Sequence, residues 1–172
     1  VSLSLSLHVM QQTKRALEAE GKTFTAHPAM PVVEKMVNEL GREGKKVGKG
    51  FYDYPENGEK RLWPELTNLY PTKEDQPSQQ DLVDRLLYVQ ANETAKCYEE
   101  NVVRSVADAN VGSIFGWGFA PNQGGTLQFI NSVGVKKFVE RSRELAATYG
   151  ERFEPANILV EMAEKGQEFS DE

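Results

Sequence analysis

Residues 133–145 read VGVKKFVERSREL and residues 1–13 read VSLSLSLHVMQQT, and the two strings align without a gap. Further on, PAM at Pro28 corresponds to PAN at Pro155, and each then runs through apolar residues into a glycine, Gly41 or Gly166. Taken alone, the opening alternates strictly, with Leu3, Leu5 and Leu7 on one side, which is a strand pattern. The same residues also fit a helix, because Leu3, Leu7, Met10 and Leu17 share a helical stripe that Gly21 closes. The later string removes the ambiguity. Val135, Phe138, Val139, Leu145, Ala146 and Tyr149 recur at helical spacing, so the opening, as its counterpart, is also predicted helical. An all-α, duplicated architecture follows, with the first copy truncated.

Within the first copy, Pro28 and Pro31 open a second helix through Val33, Met36, Val37 and Leu40. Residues 42–77 read as a long irregular connection, with Phe51 to Pro55 as an aromatic plug or short extended piece and residues 71–78 as an exposed linker. Ser78 and Asp81 resemble a capping box that opens the longest helix. Its apolar face is expected through Val83, Leu86, Leu87, Thr94, Cys97, Tyr98 and Val102. A short helix is predicted from Ser105 to Phe115. The glycines of Gly116 to Gly125 predict irregular structure, with Trp117 and Phe119 plugging the core or, as the functional alternative, the segment forming the lip of a ligand site. Helices at Val135–Tyr149 and Pro155–Lys165 close the chain. The division expected is residues 1–54 as the tail of a first helical unit, 55–77 as a linker and 78–172 as a second unit.

The 172 residues carry a net charge of −6, and 39% are hydrophobic. That suffices for a core, and the mostly interleaved basic residues argue against a nucleic-acid surface. Apolar runs are too short for a membrane span, and no charged–apolar–small leader opens the chain. It begins at Val1 rather than Met, in mid-pattern, which predicts a piece of a longer protein. Cys97 is the only cysteine, so an internal disulfide is excluded and a reducing compartment fits. His8 and His27 are the only histidines, and without a Cys/His cluster no zinc site is expected.

Two strings resemble a known family. GREGKKVGKGFYDY (Gly41 to Tyr54) resembles the G-R-x-G-x-K-x-G-x-G-F-Y-x-Y signature of the C-terminal domain of 3-hydroxyacyl-CoA dehydrogenases. GWGFAPNQGGTLQFINSVG (Gly116 to Gly134) resembles the G-x-G-F-P-P-x-x-G-G-x-x-x-[YF]-x-D-x-x-G signature of the second such domain in long, multifunctional members. DRLLYVQANETAKCYEENVV (Asp84 to Val103) is similar to that domain's long helix. Ala120 replaces the first proline of the family's pair, and Asn131 replaces its Asp. Asp84 stands where the first-copy helix carries an Asn that approaches substrate, which implies a second copy without substrate contact.

The resemblance implies a fragment of an NAD-dependent L-3-hydroxyacyl-CoA dehydrogenase of fatty-acid β-oxidation, from an enzyme that also carries an enoyl-CoA hydratase. A His–Glu pair in the NAD-binding domain would do the proton work, and no position here matches it. No catalytic, metal or cofactor-binding residue is therefore expected in this chain, and NAD belongs to the parent. The implied partners are the parent's NAD-binding domain, acyl-CoA, and a further copy or a thiolase. The implied location is bacterial cytoplasm, or mitochondrion or peroxisome. Gly48, Gly50, Phe51, Tyr52, Gly116, Gly118, Phe119, Pro121, Gly124 and Gly125 are the motif positions, read as structural. Arg42, Lys45, Lys46 and Lys49 are candidates for CoA phosphates, against a simpler reading in which a tight turn leaves the lysines solvated. Cys97 is expected as an inert core thiol. The competing class is a free-standing helical interaction module without catalysis.

Overall fold

The computed structural model describes residues 2–171 and divides into two compact units, Val1–Glu74 and Asp75–Glu172. Val1, the first residue of the repeat, lies outside the described residues.

The first unit opens with helix α1, Leu3–Ala19, whose first turn is capped by the Ser2 hydroxyl accepting from the Leu5 N–H at 3.1 Å. The helical reading of the opening therefore holds. Leu7 is buried and Leu3, Met10 and Leu17 are half-buried, while Leu5 and Val9, the other members of the alternating pattern, face solvent. Helix α2, Met30–Glu34, packs on α1 and continues as a π-turn, Lys35–Glu39. It stops at Gly41, whose φ of +58° is left-handed, as its place after the apolar run predicted.

Residues 42–77 are more regular than the sequence suggested, although β1 falls on the short extended piece expected at Phe51 to Pro55. A 3₁₀ turn, Lys45–Val47, precedes β1, Tyr52–Asp53, which pairs antiparallel with β2, Arg61–Leu62, and a helical turn α3 follows at Leu66–Leu69. Two-residue strands are too short for alternation to show.

The second unit contains α4 (Gln79–Glu99), α5 (Val106–Trp117), α6 (Thr126–Val133), α7 (Val135–Tyr149) and α8 (Asn157–Lys165). Helix α7 buries Val135, Phe138, Val139, Leu145 and Ala146 of the stripe read from the sequence, leaves its Tyr149 half-buried, and adds Ser142. At the centre, the Tyr88 and Phe138 rings stack with centroids 4.4 Å apart, and Phe129 meets Tyr88 edge-on at 5.5 Å. Each such ring contributes about 1.5–3 kcal/mol by burial.

Two side-chain amides and a carboxylate tie the connections to this core. Asn92 donates to the Glu154 carbonyl (2.6 Å) and accepts from the Ala156 N–H (2.8 Å). Asn131 holds the Phe169 backbone in the same two-way manner, at 2.9 and 3.0 Å. Asp171 accepts from the Val106 and Ala107 N–H groups at the start of α5. Each clamp satisfies backbone groups that a loop or helix end leaves unpaired.

Three expectations fail here. The buried face of α4 is Asp84, Tyr88, Ala91, Asn92, Thr94 and Ala95, whereas Val83, Leu86 and Val102 are exposed. Trp117 does not plug the core. It closes α5 with 57% of its surface exposed, and only Phe119 is buried. The segment Gly116 to Gly125 is also partly regular, its start belonging to α5 and Pro121–Gln123 forming a 3₁₀ turn, and the α6 that follows it was not foreseen.

Candidate functional site

Three places were candidates or became so: the basic turn of the first unit, the outward face of α4 and α5, and a cluster of charges at the start of α4.

In the basic turn, Gly44 and Lys49 face each other across a tight loop, with Gly44 N–H donating to Lys49 O at 2.7 Å. Gly50 lies so close that a Cβ there would stand 3.0 Å from Gly44 Cα, and Gly48 is left-handed at φ +73°. Arg42 is removed from the phosphate candidates. It is buried, its Nε donates to Gly50 O at 2.7 Å, Nη2 pairs with Asp53, and the guanidinium lies 4.1 Å over the Trp63 ring. A guanidinium already bound on three sides holds the turn to the hairpin. Lys45, Lys46 and Lys49 are exposed. Phe51 is half-buried, while Tyr52 is partly exposed beneath Lys60.

The second string places Gly116 and Trp117 on an open groove of about 600 Å³ between α4 and α5. Trp117 Nε1 donates to Gln90 Oε1 at 2.9 Å across its mouth. Cys97 lines this groove and is half-buried, so it is not the enclosed core thiol expected. Phe119 anchors in the core beside Phe129, and Gly118, Gly124 and Gly125 all have positive φ. Pro121 begins the 3₁₀ turn, and Ala120 before it, at φ −52° and ψ 106°, keeps the backbone a proline would adopt. No protein-family model matches the chain.

The charge cluster is a site that the sequence reading missed. Arg141 on α7 donates through Nε to Asp84 (2.8 Å), through Nη2 to Asp81 (2.5 Å) and through Nη1 to Glu144 (3.0 Å). Tyr149 donates to the second oxygen of Asp81 at 2.8 Å, and Gln80 donates to Asp84 at 2.7 Å. Hydrogen bonds from Arg141 and Tyr149 hold the Asp81 carboxyl below its ordinary pKa. Burial opposes the Arg141 charge, but the bonds to Asp81, Glu144 and Asp84 outweigh it and hold the guanidinium above its usual range. Tyr149 is raised by its bond to Asp81. Burial, and then the Asp84 charge, push the Tyr88 hydroxyl up to about 12. Perturbed groups often mark active sites, but here all three guanidinium nitrogens face carboxylates of the chain itself. The cluster is an ionic joint between α4 and α7. Only the fold brings its members together, since Asp81 and Arg141 are 60 residues apart.

His8 is exposed, and His27 accepts from the Ala29 N–H through Nδ1 at 3.1 Å, a local turn contact. Among the described residues no group of His, Cys, Asp and Glu is arranged to hold a metal, and no helix is long and apolar enough to cross a membrane.

Proposed function

We propose that the chain is the C-terminal helical part of an NAD-dependent L-3-hydroxyacyl-CoA dehydrogenase of fatty-acid β-oxidation, carrying a truncated first and a complete second copy of one helical unit. Its role is to shape the acyl-CoA cleft and the packing of the enzyme, with the hydride and proton chemistry residing in the NAD-binding part. The observation that carries this reading is the ordered pair of glycine-rich strings. Both fall on turns where side chains would collide or strain: Gly50 against Gly44, and Gly125 against Asn110, where a Cβ would lie 2.5 Å from Asn110 Cα. The parallel endings of the two copies also support it, since α2 with its π-turn and α8 both stop at left-handed glycines, Gly41 (φ +58°) and Gly166 (φ +65°). The ion pair of Asp84 with Arg141 agrees with a second copy that does not touch substrate. On this reading the parent works in bacterial cytoplasm, or in mitochondrion or peroxisome, and also carries an enoyl-CoA hydratase.

The test has two arms. The reading frame upstream of Val1 is expected to encode a strand–turn–helix with G-x-G-x-x-G. The purified chain is expected to leave NADH unoxidised with acetoacetyl-CoA. An upstream frame without that motif sinks the assignment, and turnover by the chain alone sinks the division of roles. The competing reading, an interaction module without catalysis, draws on the exposed apolar residues Leu86, Phe115 and Trp117. It gains if the upstream frame lacks a dinucleotide fold.

A further inference from the structure

The loop that joins β1 to β2 presents Asn57 and Gly58 to solvent. They lie in residues 55–60, all of them exposed and outside the helices and strands. The ends of the loop are fixed, because Tyr54 N–H donates to Gly48 O at 2.9 Å and Asp53 pairs with Arg61 across the sheet. Between these anchors, among the described residues, no hydrogen bond engages the Asn57 side chain or the Gly58 N–H. Gly58 has a φ of +150°, in the region open to glycine. Its nitrogen and the Asn57 Cγ are separated by the carbonyl carbon, Cα and Cβ of Asn57, so a bond between them closes a succinimide ring. Of the asparagines in the chain, Asn57 alone precedes a glycine. Asn92, Asn110 and Asn131 sit in helices with their side chains bound to backbone groups. Asn68 is exposed, but it donates to Glu65 at 2.9 Å and precedes the branched Leu69.

We propose that Asn57 is a site of spontaneous covalent modification, losing its amide through ring closure onto Gly58. The Gly58 nitrogen gives up its proton and attacks Asn57 Cγ. The new N–Cγ bond forms as the Cγ–Nδ2 bond breaks, and Nδ2 leaves with that proton as ammonia. Water then opens the ring at either carbonyl. Cleavage at Cγ restores the main chain with aspartate at position 57. Cleavage at the Asn57 carbonyl carbon routes the main chain through Cγ and leaves isoaspartate. Water is the only other reactant, and nothing is oxidised or reduced. Glycine at 58 matters because it leaves the nitrogen unscreened and lets the backbone turn toward Cγ. Either product places a carboxylate between Glu56 and Glu59 and takes the chain one unit below its net charge of −6. The proposal is independent of the dehydrogenase reading.

The experiment incubates the full chain in warm, mildly alkaline buffer, with circular dichroism to verify that it stays folded, and follows tryptic peptides by mass. The peptide of residues 50–60 holds Asn57 as its only asparagine. It should gain about 1 Da and split into aspartate and isoaspartate forms. Asn68, in the next peptide, should react at least roughly tenfold more slowly, because Leu69 screens its nitrogen. The isolated peptide 50–60 is the reference, and the folded chain should match its rate within about threefold, because an exposed loop holds neither group. Asn57→Gln, whose extra methylene enlarges the ring, should abolish the change in that peptide. Gly58→Ala should slow it by about tenfold. A folded chain that stays unmodified while the peptide reacts overturns the proposal, as does equal reaction at Asn68. Aspartate formed without isoaspartate also overturns it, because direct hydrolysis of the amide would then replace the ring.

Discussion

Gly125 carries no side chain because Asn110 occupies the space one would need. Its φ is +109°, and a Cβ would lie 2.5 Å from both Cα and Cβ of Asn110. Asn110 cannot easily give way, because its Oδ1 accepts from the Leu127 and Gln128 N–H groups, each at 3.0 Å, and so caps α6 from α5. Gly125→Ala is therefore expected to cost roughly 2 kcal/mol or more through strain and loss of the cap. Gly112, in the middle of α5, is the control. A Cβ there meets nothing within 4 Å, so Gly112→Ala should stabilise by about 0.5–1 kcal/mol from helix propensity. Urea unfolding of both variants checks the pair, and equal effects would show that Gly125 is not needed for close approach. The glycine was legible in the sequence as a member of a dense turn. Its partner Asn110 was not, because that contact spans 15 residues and depends on how α5 meets α6.

At the scale of the element, the same contrast separates α7 from α4. The stripe of α7 could be read directly, since its buried positions are apolar except Ser142. Phe138 is fully buried against Tyr88 and Phe129, while Glu140 is exposed. Phe138→Asp should cost about 4 kcal/mol or more by burying an unpaired charge, whereas Glu140→Asp should stay within about 0.5 kcal/mol. Thermal melts that rank them otherwise would refute the helical phase. Helix α4 misleads because its buried face includes Asp84 and Asn92, made tolerable by Arg141 and by the backbone of Glu154 and Ala156. Its outward face holds the leucines. Partners supplied from distant sequence mask part of the buried side, so periodicity found Leu87, Thr94 and Tyr98 but also took in the exposed Val83 and Leu86. Helix α6 was missed because it is short and borrows its cap from α5.

The ionic joint gives α4 and α7 a dependence on pH. The folded pKa of Asp81 is depressed, so its contribution is present above the unfolded value of about 4 and is lost as pH falls through the folded value. Tyr88 has the opposite sense. Its folded value is raised to about 12, so its contribution is complete below about 10 and disappears as pH rises toward 12. Arg141→Met should lower the melting temperature at pH 7, with the gap from wild type narrowing below about pH 4 as the carboxylates protonate. A gap that stays constant from pH 7 to pH 3 would show that the joint contributes packing rather than charge.

For the whole molecule, the core of the second unit is drawn from α4 to α8 and the tail through Phe169, and each residue of that cluster lies beyond the division at Glu74. The buried apolar residues described in the first unit are few: Leu7, Met30, Val33 and Met36. Small cores are marginal, because buried area grows faster than chain length. Between the units, residues 71–80 are all exposed and lack regular structure before Gln79. The exposure of that stretch was legible in its polar, proline-bearing composition. Brief trypsin digestion should therefore cut first after Lys73, and the fragment spanning residues 74–172 should persist. That fragment should remain helical and melt in one cooperative transition, since its rings and amide clamps are all its own. The first unit should lose structure at lower temperature, which Trp63 fluorescence reports in a Trp117→Phe variant because Arg42 stacks on that ring only in the folded turn. A fragment 74–172 that loses its helicity, or a Trp63 transition later than the loss of helix in the second unit, would mean that the larger core does not stand on its own residues.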